Sequence, residues 1–152
     1  HKVIFSETAT PTGEQPDAIG WRWNGYSTLI ECKISESDFY SDQKKRSRRD
    51  PSVRMGSWCY YLTPASMLSP NARQGLNAKG WGLLEVHGRM IRTIYEAPYV
   101  ESRCSHREVT MLVCGLWRLQ ESLKARGISD PLRRLSWGAI QKGLEADARP
   151  TD

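Results

Sequence analysis

Three side chains in the first quarter of the chain have the types and spacing for metal or acid–base chemistry: Asp17, Glu31 and Lys33, in the segment Pro16 to Ser35, PDAIGWRWNGYSTLIECKIS. Two carboxylates held a few ångströms apart repel, and the usual compensation is a shared proton, a cation or a divalent metal. Lys33 supplies one positive charge. A hard ion such as Mg²⁺ prefers oxygen ligands and keeps several waters, so Asp17, Glu31 and a strand carbonyl form a suitable donor set. Zinc is not favoured, because the His and Cys residues show no ligand spacing. No Ser-His-Asp or Cys-His nucleophile can be assembled with any warrant either.

A hairpin must position these groups. Asn24-Gly25 is the strongest short-range hairpin dipeptide, with aromatic and β-branched residues on both sides. Side chains two apart in a strand share a face, so Glu31 and Lys33 point one way while Ile30, Cys32 and Ile34 point the other. With a two-residue turn, Trp23 would face Tyr26, and Asp17 would fall opposite Cys32, away from Glu31. One extra residue corrects this. A three-residue connection ending in a glycine-assisted bulge, or a bulge near Gly20, is expected to pair Asp17 with Lys33 and Ile19 with Glu31.

Around the hairpin the chain alternates strand and helix signals. Lys2 to Phe5 suits a strand, followed by a polar loop punctuated by Pro11, Gly13 and Pro16. Ser35 with Asp38 resembles an N-cap pair opening a mostly solvated helix that Asp50-Pro51 ends. SWCYYL from Ser57 and WGLLEV from Trp81 read as buried strands, candidates for parallel neighbours in a sheet centre, and RMIRTIYEAP returns as a second hairpin after His87-Gly88. Ser105 with Glu108 reads as a capping box for a helix whose apolar residues Val109, Leu112, Val113, Leu116, Leu119 and Leu123 run to Gly127. A further short helix is expected around Trp137 and Leu144. These elements predict an α/β (α+β) domain with a central mixed β-sheet flanked by helices.

Chain-wide properties narrow the class. One domain over 1–152 is expected from 152 residues at 39% hydrophobic, with a helical C-terminal part at 105–147. The net charge of +5 favours a polyanionic partner without specifying one. Four cysteines without a CxxC pair read as reduced thiols, and the start HKVIFSE lacks a signal-peptide layout, so a cytoplasmic protein is expected. With His1 in place of Met, the chain is expected to begin after processing, truncation or a tag. No apolar run reaches the roughly 18 residues of a membrane span.

Pro16-Asp17 followed by Glu31-Cys32-Lys33 at a strand end resembles the PD-(D/E)XK nuclease signature. The likeness extends through ECKISESDFYSDQKK, GSWCYYLTP and GWGLLEV, and so over residues 14–86, to small nuclease-like proteins of phages and bacteria. The resemblance implies a restriction-endonuclease-like core, commonly with a helix before the first strand that this chain begins too late to show. It implies metal-dependent endonuclease hydrolysis of DNA in a prokaryotic or phage-infected cell. Asp17, Glu31 and the Cys32 carbonyl would hold Mg²⁺ or Mn²⁺, with Glu7 a further contact ahead of Glu14, and Lys33 would orient the attacking water. Adjacent carboxylates favour the protonated lysine, so its role is charge stabilisation rather than general base.

Each candidate has a plainer counterpart. Glu-x-Lys at a strand end is common as a solvated ion pair. The run Lys44, Lys45, Arg46, Arg48 and Arg49, with Gln43, is suited to phosphates and equally to a solvated basic face. Tyr40, Trp21 and Trp23 offer stacking surfaces or packing. His87 and His106 read as structural. The alternative function is a nucleic-acid-binding module that keeps the nuclease fold without turnover. A third is an interaction domain using the late helix, whose stripe becomes a homodimer surface if the sheet face is otherwise covered.

Overall fold

The structure, a computed structural model, describes residues 1–8 and 14–128. Pro11 and Gly13 of the expected loop, and the helix expected around Trp137 and Leu144, lie outside the described residues. Six strands form one mixed sheet in chain order: β1 (Val3–Ser6), β2 (Ala18–Trp21), β3 (Ser27–Cys32), β4 (Trp58–Pro64), β5 (Gly82–His87) and β6 (Met90–Tyr95). The fold is α+β. β3, β4 and β5 are parallel neighbours, as SWCYYL and WGLLEV suggest, and the flanking pairs are antiparallel.

Parallel neighbours need crossovers long enough to return the chain to the same end of the sheet. The first holds α1 (Glu36–Asp42) and α2 (Arg46–Arg49), and the second holds α3 (Pro70–Arg73). Ser35 caps α1 through its hydroxyl, which accepts from the Asp38 N–H at 3.2 Å. Phe39 is fully buried on this helix, with its ring 4.9 Å from that of Tyr61 on β4. The helix expected to be mostly solvated therefore has a core-facing side.

The hairpin gains its extra residue. The Arg22 N–H donates to the Tyr26 carbonyl at 2.9 Å and the Gly25 N–H to the Arg22 carbonyl at 3.1 Å, enclosing Trp23, Asn24 and Gly25. Gly25 has φ +78°, the left-handed conformation that a glycine bulge requires. The partners differ from those expected. Because Trp23 joins the loop, Ile19 faces Leu29 and Ala18 faces Ile30, and one further step sets Asp17 opposite Glu31 rather than Lys33. Side-chain alternation is unchanged by this shift of two, so both carboxylates still share a face.

α4 (Ser105–Ala125) follows β6. Glu108 does not close a capping box. Its Oε2 accepts from Trp21 Nε1 at 3.2 Å and Ser27 Oγ at 2.9 Å, and its Oε1 accepts from the Gly56 N–H at 2.9 Å and Arg103 Nε at 3.1 Å. Four donors satisfy this buried carboxylate. The chain divides into two compact units, His1–Met111 and Leu112–Asp152. α4 runs through both, and its buried residues, Glu108 and Met111, lie in the first; in the second, Val113, Leu116, Trp117 and Leu119 are all more than half exposed. Among the described residues no helix is long and apolar enough to cross a membrane.

Candidate active site

β3 turns its charged face inward. Leu29, Glu31 and Lys33 are 0%, 2% and 6% exposed, whereas Ile34 on the opposite side is 85% exposed. Burying a carboxylate and an ammonium requires close partners. Lys33 Nζ lies 3.3 Å from Glu31 Oε2 and 3.5 Å from Asp42 Oδ1. Asp42 comes from α1, three residues after Phe39 and so on the same inward side.

The centre of the cluster is Arg48, from α2. Its Nε lies 2.6 Å from Asp42 Oδ2 and its Nη1 3.0 Å from Glu14 Oε1. Its Nη2 lies 2.6 Å from Glu31 Oε1, an ion pair whose N–H is poorly aimed, so that oxygen accepts no directed hydrogen bond. The same guanidinium sits 5.2 Å from the Trp81 ring centroid. Around it, Lys45 Nζ reaches Asp42 Oδ1 at 2.7 Å, Tyr61 donates to Asp42 Oδ2 at 3.1 Å, and Arg107 reaches Glu14 Oε2 at 3.4 Å. Asp17 is bound at the margin, where its Oδ2 accepts from the Cys32 N–H at 2.6 Å.

Sequence reasoning brings Asp17, Glu31, Cys32 and Lys33 together, and the structure does the same. Arg48 departs from its expected role, because it is 6% exposed and spent on carboxylates rather than open to phosphates. Lys44, Lys45, Arg46 and Arg49 are exposed, as that role requires, while Gln43 is half-buried. Glu7 also departs. Its side chain is exposed and only its backbone N–H meets Asp17, whereas Glu14, ranked behind it, is buried in the cluster. Trp21 is buried against Glu108, and Trp23 and Tyr40 are partly exposed. Asp42, Tyr61 and Arg107 were not singled out by the sequence. Phe39-x-x-Asp42 was the available signal for Asp42, since a carboxylate one turn from a core phenylalanine shares its face.

Electrostatics assign protonation. Burial raises the pKa of Glu31, and Asp42 and Asp17 raise it further against the pull of Arg48 and Lys33. For Lys33, burial favours the neutral amine, but Asp42 and Glu31 outweigh it and hold the ammonium above its usual range. Asp42 opposes its own burial with hydrogen bonds from Arg48 and Lys45, which bring it down to about 2. A carboxylate depressed in the fold contributes stability above its unfolded pKa and loses it as pH falls through the folded value. The wild type is therefore expected to lose about 2 kcal/mol from Asp42 between pH 4 and pH 2, a component that Asp42→Asn lacks in urea titrations across that range. Equal acid slopes for the two proteins would refute the assignment.

The donor set suits a hard divalent ion in kind. Asp17 keeps one oxygen without a protein partner among the described residues, and Glu31 Oε1 is buried without an aligned donor. Among the described residues no three His, Cys, Asp or Glu side chains form a group that would hold a metal ion, and Glu14, Glu31 and Asp42 converge on Arg48 instead. Arg48 also lines two cavities. One, of about 480 Å³, is lined by Glu14, Asp17, Lys45, Arg46 and Arg107, and the other, of about 570 Å³, lies towards Tyr40 and Trp81.

The fold defines the chain as an α+β protein with a parallel-centred mixed sheet and a buried ionic cluster at the C-terminal end of β3. No protein-family model matches it, and no curated protein matches it. Among solved structures it is similar to the SPO1766 protein of unknown function from Silicibacter pomeroyi, at 19% identity and a TM-score of 0.57, covering 82% of this chain and 79% of that one. That likeness is one of fold.

Proposed function

We propose that the protein is a metal-dependent endonuclease that hydrolyses DNA phosphodiesters, with a restriction-endonuclease-like core and its site at the end of β3. One observation carries the reading: Asp17, Glu31 and Lys33 converge there, with Asp17 held on the Cys32 N–H and Lys33 set beside Glu31. Asp17, Glu31 and the Cys32 carbonyl would hold Mg²⁺ or Mn²⁺. When bound, the ion supplies an activated water and neutralises charge developing on the phosphorane. Lys33 keeps its proton and donates to oxygen in the transition state, a role that its raised pKa supports. Exposed Lys44, Lys45, Arg46 and Arg49 hold the flanking phosphates.

Arg48 favours a second reading, a nucleic-acid-binding module without turnover, because its guanidinium already neutralises Glu31. Incubation with supercoiled plasmid separates the two. Nicking that appears with Mg²⁺ or Mn²⁺ and disappears with chelator supports the endonuclease. Salt-sensitive binding with no nicking under any divalent ion would leave the binding module.

A further inference from the structure

We propose that the cavity of about 570 Å³ beside Arg48 seats one unpaired nucleotide of a DNA strand. Its wall combines the aromatic side chains Tyr40, Tyr61 and Trp81 with the cations Lys44, Arg49 and Lys79, and no carboxylate lines it. A cationic rim beside an open aromatic ring is complementary to a phosphate joined to a flat, apolar-faced ring. Gln43 organises the rim. Its Oε1 accepts from Lys79 Nζ at 3.0 Å and its main-chain oxygen accepts from Arg49 Nε at 3.2 Å, so one residue fixes two cations. Tyr61 and Trp81 stack on each other with centroids 4.4 Å apart and are each 1% exposed, so they form a rigid backing and leave the stacking face to Tyr40. The Trp81 indole N–H is buried without an acceptor among the described residues. Tyr40 is 44% exposed and leaves part of its ring free for stacking.

A base paired inside a duplex has both faces covered by its neighbours, so only an unpaired, terminal or extruded base can enter such a cavity. Arg48 and Tyr61 line it and also touch Asp42, which places a seated nucleotide against the ionic cluster. The inference rests on the nucleic-acid reading above for its biological use, but its test requires no cleavage.

Binding of fluorescein-labelled dT12 and of a 12-base-pair duplex is measured by anisotropy in EDTA at one salt concentration. Tyr40→Ala is expected to weaken dT12 binding about 5- to 150-fold, the range for losing one stacked base, while duplex affinity changes less than twofold. Tyr40→Phe keeps wild-type affinity, and Lys79→Ala weakens dT12 in the same selective way. Thermal melting of each variant checks the fold. Unchanged dT12 binding by Tyr40→Ala, or equal loss for both probes, overturns the proposal. So does displacement of dT12 by an equal concentration of thymidine 5′-monophosphate, which would assign the cavity to free nucleotides. Plasmid nicking is scored separately: its absence beside selective dT12 binding defeats the endonuclease and leaves the cavity's role standing.

Discussion

Arg48→Met is expected to lower the stability of the protein by about 3–5 kcal/mol, because removing one partner of a buried ion pair leaves the other charge without compensation. Here three carboxylates lose a partner at once: Glu14, Glu31 and Asp42, each 7% exposed or less. Methionine roughly fills the volume of the arginine stem, so a large loss would report charge rather than a cavity. The shift is read from urea midpoints, where it corresponds to roughly 2 M. Arg46→Ala is the control. Arg46 is 79% exposed and meets Asp50 at 3.4 Å, so its loss should stay within about 0.5 kcal/mol. The Arg48→Met deficit should also shrink in acid, because Glu31 has a raised pKa and a proton neutralises it more readily in the fold. A deficit under about 1 kcal/mol at neutral pH would show that the carboxylates reach water or protonate without strain.

Lys33→Met carries the largest expected effect on activity. If the ammonium stabilises charge on the phosphorane, its loss should reduce Mg²⁺-dependent nicking about 10²- to 10³-fold, the range for removing one preorganised donor. Binding should change little, since Lys33 is 6% exposed and does not compete with the surface lysines for phosphates. Affinity for DNA in EDTA is therefore measured beside the rate. Stability falls less than for Arg48→Met, because Arg48 still neutralises Glu31 and Arg48 and Lys45 still neutralise Asp42. Nicking that survives Lys33→Met at the wild-type rate would remove Lys33 from the proposed chemistry.

The parallel centre of the sheet could be read from two apolar runs joined by a long connection, since strands covered on both faces lose their alternation. The three-residue hairpin loop could be read from Asn24-Gly25 and from the need to bring Asp17 and Glu31 to one face. The pairing of individual residues could not. Whether Trp23 belongs to the strand or the loop changes every partner by two positions, and an aromatic residue is at home in either. Arg48 was illegible for a different reason. Lys44, Lys45, Arg46, Arg48 and Arg49 look alike in sequence, and only the path of α1 and α2 decides which one turns inward. Glu7 ranks ahead of Glu14 by its place after the first strand, and only the closing of the chain over Arg48 reverses that order. Charges become specific through contacts distant in sequence, such as that of Arg107 with Glu14, and local pattern does not register those.

Glu108 gives β3 an unusual mechanical standing. Its carboxylate fastens Ser27 at the start of the strand, and Arg48 and Lys33 fasten Glu31 near the other end. With β2 and β4 paired along both sides, the strand has no end from which to peel. Its amides should exchange with solvent only when the whole unit opens, while β1 and β6 at the sheet edges exchange through local fraying. The proposed site thus sits on a strand held near both ends, and adjustment to a bound strand of DNA is expected to fall to the α1–α2 crossover.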